Sequence, residues 1–205
     1  MNIGNIPIEQ RRGIEYIDLN DTIILVKAPI ESVEPAFSSS RQADLWQRDV
    51  YKREIEIIGH SFIIFQFRGQ AWTLIQWLYV KSHGKTITPE DAQTLSNLLY
   101  TRAIYYKISD TGGTLEYQIY DDGTLMEKLV HEEEISTEFQ SQLRSLKAED
   151  IQRPYGFVYN LVVEQNTYIP MRFAKQYYEV GGRITLELEE IEHENLERMD
   201  YIAPR

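Results

Sequence analysis

Residues 99–130, LYTRAIYYKISDTGGTLEYQIYDDGTLMEKLV, constrain the fold more than any other stretch of this chain. Runs rich in Tyr, Ile and Leu are interrupted at Asp110-Thr111-Gly112-Gly113 and again at Asp121-Asp122-Gly123. Gly after Asp permits the positive φ that short hairpin loops require, so the segment is expected to form a three-stranded meander. Leu115, Tyr117 and Ile119 alternate with Glu116, Gln118 and Tyr120. That alternation predicts one buried face and one face open to water.

The remaining chain supplies further hairpins and separate helices. Residues 22–26 (TIILV) read as a short buried strand. Residues 61–67 (SFIIFQF) are apolar on both faces, as in a strand at the middle of a sheet covered on both sides. Arg68-Gly69-Gln70 then turns the chain into an aromatic strand over residues 71–80. Apolar positions 30, 33 and 37 have helical spacing, but Pro35 predicts a short or kinked helix there. Thr88-Pro89-Glu90-Asp91 is a helix start, with Thr as N-cap, Pro in the first turn and acids beside it. The helix should run to about Leu99 and bury Ala92, Leu95, Leu98 and Leu99.

Beyond the meander, Ile135, Phe139, Leu143 and Leu146 also fall at helical spacing, so an amphipathic helix is expected within residues 131–153. Pro154 opens another helix over residues 154–165. Residues 183–189 alternate as a one-sided strand, and the acid-rich stretch 187–200 reads as a solvated edge or terminal helix. The expected class is α+β, a mostly antiparallel sheet of hairpins and a three-stranded meander with several packing helices. It is read as a single α+β domain over residues 1–205, with a subdivision near 131–150 as the alternative.

Composition narrows the chemistry. The absence of cysteine excludes disulfides, thiolate metal sites and thiol catalysis. The net charge of −11, with no segregated run of Lys and Arg, opposes binding to nucleic acid and favours a protein partner with a basic surface. The amino terminus lacks a basic segment followed by an apolar run, and no stretch approaches the roughly 20 apolar residues of a membrane helix. A cytoplasmic protein without a membrane role is therefore expected. Self-association is compatible with the composition.

The four histidines, His60, His83, His131 and His193, show no metal-binding spacing, and no phosphate-loop or nucleophile-elbow motif occurs. No catalytic residue, metal ligand or cofactor is assigned. Arg68 and Trp72 at a hairpin tip, with an outward-facing Tyr105, form the candidate partner contact, because Arg and aromatic residues dominate such contacts. The function expected is that of a non-enzymatic acidic binding protein, an adaptor or an inhibitor of immunity type. The alternative is a small-ligand-binding protein or enzyme whose site is assembled from dispersed Tyr, Arg and Asp.

Overall fold

The computed structural model describes residues 6–15, 21–43, 45–78, 86–109, 111–170, 179–189 and 191–203. In chain order the strands are β1 (Gly13–Ile14), β2 (Asp21–Val26), β3 (Leu45–Gln47), β4 (Glu54–Glu56), β5 (Ser61–Phe67), β6 (Thr73–Leu78), β7 (Arg102–Ser109), β8 (Thr114–Asp121), β9 (Thr124–Glu132), β10 (Ser136–Ser141), β11 (Tyr168–Ile169), β12 (Arg183–Thr185) and β13 (Leu196–Ala203). The helices are α1 (Ile30–Ser40), α2 (Pro89–Leu99) and α3 (Pro154–Glu164). Among the described residues, nine strands form one sheet in the order β10-β9-β8-β7-β2-β6-β5-β13-β3, and every neighbouring pair is antiparallel. The architecture is α+β.

Both faces of the sheet centre are covered. In β2, Ile23 and Leu25 point to one face, and Ile24 and Val26 to the other. The first face packs under α3 through Val158, Leu161 and Val162. The second packs under α1 and α2 through Val33, Phe37, Ala92 and Leu95. All seven residues of β5 are buried, as its doubly apolar sequence requires.

Local chemistry explains the helix ends. Thr88 and Asp91 form a reciprocal capping box at the start of α2, with Pro89 in its first turn. Buried Gln66 accepts the Ile30 N–H at 2.9 Å and so caps α1 from β5. α1 runs for eleven residues with Pro35 inside it, longer than expected. Pro35 and Glu31 both lie on its exposed side, where water can take the carbonyl left unpaired by the missing N–H.

The β8–β9 turn places Asp122 at φ 48° and Gly123 at φ 77°, the two positive values of a two-residue hairpin loop. A Cβ on Gly123 would also stand 2.8 Å from the Asn97 Cβ of α2, so glycine is required twice over.

Several expectations fail. The segment containing Ile135 and Phe139 is no helix, because Phe139 lies in β10, paired with Leu129 of β9. Residues 136–141 pair in sequence with residues 132–127. The acid-rich stretch is exposed at Glu192 and Glu194, with a short helical turn at His193–Asn195, but its last part is neither a solvated edge nor a terminal helix. Its residues Leu196–Ala203 form β13, set between β5 and β3, with Met199, Tyr201 and Ile202 buried. Leu98 is 51 % exposed, and Ser96 takes the buried position on α2, donating to the Thr101 carbonyl at 2.6 Å.

Candidate functional site

The three residues expected to form a partner contact are not brought together. Arg68 is exposed in the β5–β6 turn, where its Nε donates to the Leu196 carbonyl at 3.1 Å. The turn is held from outside, since Gln70 Nε2 donates to the Ile8 carbonyl at 3.0 Å. Trp72 is 1 % exposed in the core on the α3 face, and its indole N–H donates to the Gln165 carbonyl at 3.1 Å. Tyr105 is 3 % exposed and belongs to the opposite core, under α1 and α2.

Trp72 and Tyr105 are thus packing residues on opposite faces of the sheet. Tyr105 points to the α1–α2 face of the sheet, where helix covers it. Burial, with Glu116, Glu90 and Asp91 nearby, drives its phenol pKa well above the usual value. Tyr177 and Tyr178, the other adjacent pair, lie outside the described residues.

A different surface is left open. The helices α1 and α2 cover β13, β5, β6, β2 and β7, and their cover ends at Tyr120 and Leu125. Past that line the α1–α2 face of β7–β10 carries side chains in register. The first row, Tyr105, Gln118, Lys128 and Gln140, is still buried at Tyr105 and Gln118, and the next is Lys107, Glu116, Val130 and Glu138. A third holds Ser109, Thr114, Glu132 and Ser136. Lys107, Ser136, Glu138 and Gln140 are exposed, while Glu116, Lys128, Val130 and Glu132 are half-buried.

Along β8 a hydrogen-bond chain links the covered and open parts. The Tyr120 hydroxyl donates to Gln118 Oε1 at 2.6 Å, and Gln118 Nε2 donates to Glu116 Oε1 at 2.6 Å. Burial, with Glu90 and Glu116 nearby, leaves the Tyr120 pKa pushed up to about 12, so the phenol remains a donor at neutral pH. The chain fixes the Glu116 carboxylate on the open face. Glu132, Glu133, Glu134 and Glu138 concentrate negative charge at the β10 end, beside Ile135, which is 77 % exposed.

Two buried ionic clusters lie elsewhere. On the α3 face, fully buried Glu127 accepts from Ser141 Oγ at 2.7 Å and from Arg144 Nε at 2.6 Å, and Arg144 also reaches Glu164 of α3 at 3.2 Å. This clamp holds the end of β10 to β9 and α3. Under α1, fully buried Asp200 accepts from Trp46 Nε1 at 3.2 Å, Arg198 Nε at 2.9 Å and the Asp49 N–H at 3.2 Å.

Its neighbour Glu34 is also fully buried, with Oε1 accepting from Ser38 and Oε2 with no hydrogen-bond partner among the described residues. Burial raises the Glu34 pKa above the ordinary carboxyl range. The Ser38 hydroxyl, Arg198 and Arg48 pull it back, while Asp200 pushes it further up. A raised folded-state pKa means that this carboxyl contributes its full stability below pH ~4.5, and that the contribution is lost as pH rises through the folded value.

Glu34→Gln should therefore remove a pH-dependent loss of stability. While only the folded state holds the proton, that loss has a slope approaching about 1.4 kcal/mol per pH unit. Denaturant midpoints of both proteins from pH 4.5 to 8 measure it. Parallel curves would mean that Glu34 titrates as an ordinary surface acid.

Among the described residues, no group of three or more His, Cys, Asp or Glu side chains could hold a metal ion. The sequence reading expected the meander to show one face to water, but it missed β10 as the outer strand because it assigned residues 135–146 to a helix. Residues 136–141 hold only Phe139 as an apolar residue, so the strand period left almost no signal of its own. No protein-family model, no curated protein and no solved structure matches this chain.

Proposed function

We propose that this chain is a non-enzymatic binding protein that engages a protein partner of basic surface through the open part of its β7–β10 meander. The observation that carries this reading is the end of helical cover over a regular antiparallel sheet, which leaves, among the described residues, two in-register rows of exposed and half-buried side chains beyond the buried Tyr105 and Gln118. Natural sheets with one uncovered polar face are ordinary. Here the uncovered region also borders a cluster of glutamates in a chain of net charge −11, which favours and steers a basic partner.

Affinity capture from the native cell, using the wild type and a Glu116→Lys, Glu138→Lys double variant, tests this. The expected result is a captured protein with a basic contact surface that is lost from the double variant and weakens as salt rises. Arg68→Ala, run in parallel, reports whether the β5–β6 turn contributes. A captured set unaffected by the double variant and insensitive to salt would remove this face from consideration.

One observation favours a second reading, a small polar ligand held against the α3 face. Gln76 Oε1, Tyr106 OH, Tyr117 OH and Glu127 Oε1 are buried there with no hydrogen-bond partner among the described residues. Gln76, Ile23, Tyr106 and Tyr117 follow one another in a single row. Buried polar atoms of this kind are commonly satisfied by water or a ligand. A rise in melting temperature with a small molecule, reduced by Tyr106→Phe, would support this reading.

A further inference from the structure

We infer that the partner contributes an extended segment which adds to the sheet as a tenth strand along the outer edge of β10, with basic side chains toward the α1–α2 face. This rests on the protein-binding reading above and specifies how the contact is made.

The two edges of the sheet are treated differently. At one edge, β3 is only three residues long, and the chain after it continues to shield β13 through the Val50 N–H, which donates to the Met199 carbonyl at 2.8 Å. At the other edge, β10 pairs with β9 over six consecutive residues without a register shift. Ser136–Ser141 contains no proline, no lysine and no bulge, three of the devices that blunt an exposed edge, and its one charged residue is Glu138. Among the described residues, no strand pairs with its outer side. The helical turn Ala148–Asp150 lies close to β10 but makes backbone hydrogen bonds only within its own segment.

An added strand would present alternate side chains to the two faces. On the α1–α2 side they would stand beside Ser136, Glu138 and Gln140, with Glu132 one strand further in. Charge complementarity there calls for Lys or Arg. On the α3 side they would stand beside Thr137 and Phe139, whose ring packs edge-on to Phe157 at 5.5 Å, so apolar side chains fit. The occupant is thus an extended segment alternating basic and apolar residues. A second copy of this chain fits poorly, because it would bring its own β10 glutamate to an already acidic edge.

The test uses the full chain and a synthetic heptapeptide of alternating Lys and Val, with two further versions N-methylated at either the odd or the even amides. Amide hydrogen exchange is followed across residues 136–141. Strand addition predicts that alternate β10 amides gain protection, and that N-methylation of one set of peptide amides weakens binding at least tenfold while methylation of the other is tolerated.

Binding without protection of β10, or equal binding by both methylated peptides, would overturn strand addition while leaving the open-face reading intact. No binding of the unmodified peptide at low salt would overturn it as well. Protection that appears without peptide and grows with protein concentration would assign the edge to a second copy, and would also overturn the proposal. A protein lost in the Glu116→Lys, Glu138→Lys capture experiment separates failure at the edge from failure of the binding reading as a whole.

Discussion

Replacing Trp72 by Ala should cost about 3–5 kcal/mol of folding stability, the range for a fully buried Trp or Phe cut back to Ala. The indole sits in the core between the sheet and α3 at 1 % exposure, and its N–H donates to the carbonyl of Gln165, just beyond the end of α3. Truncation opens a cavity and also leaves that carbonyl without its donor. Trp72→Phe should cost less, because it keeps most of the apolar contact and loses mainly the hydrogen bond.

Arg68→Ala, four positions earlier in an exposed turn, should change stability by less than about 1 kcal/mol. Equilibrium unfolding in denaturant separates the three. A Trp72→Ala protein as stable as the Arg68→Ala protein would restore Trp72 to the surface, where its place beside a turn first put it.

That misplacement shows where sequence reasoning stops. A hairpin tip is recognisable from Arg68-Gly69-Gln70, but whether the tip is free depends on residues far away in the chain. Here Ile8 and Leu196 accept hydrogen bonds from it, and α3 covers Trp72. Tyr105 shows the same limit. As strand neighbours Tyr105 and Tyr106 lie on opposite faces, yet nothing local reveals that α2 covers the first.

Elements whose signal is local were legible. Thr88, Pro89 and Asp91 specify the start of α2, and the doubly apolar pattern of β5 specifies a central strand. β10 was misread because spacing by four is also spacing by two. Ile135, Phe139 and Leu143 fit one face of a helix and one face of a strand equally well. β13 was hidden by charge. Glu197, Arg198 and Asp200 suggest a solvated segment, but Asp200 is buried and bonded to Arg198, and Arg198 also reaches Glu31 of α1 at 3.3 Å. Ionic pairing across elements has no signature in the order of residues along one strand.

The second large effect is expected at Arg144. Arg144→Met should destabilise the fold by about 3–5 kcal/mol at neutral pH, because it leaves the carboxylate of fully buried Glu127 without its cation. The Ser141 hydroxyl alone would remain as a donor to that carboxylate, and one neutral hydrogen bond does not offset the desolvation of a charge. Adding Glu127→Gln to Arg144→Met should recover most of the loss, since the pair is costly chiefly when half of it is removed. Thermal or denaturant unfolding of the two single variants and the double variant supplies the cycle.

The damage should also be uneven. Glu127 faces Ser141 across the β9–β10 pair, and Arg144 ties the same point to Glu164 of α3. Loss of the cation should therefore raise hydrogen exchange in residues 136–141 before it does so in β2 or β5. If β10 is the edge that receives a partner strand, Arg144→Met should weaken binding of the Lys–Val peptide even under conditions where the protein remains folded. Arg144→Met, Glu127→Gln should restore binding together with the exchange pattern. Restored stability without restored binding would mean that Arg144 itself, rather than the strand it positions, meets the partner.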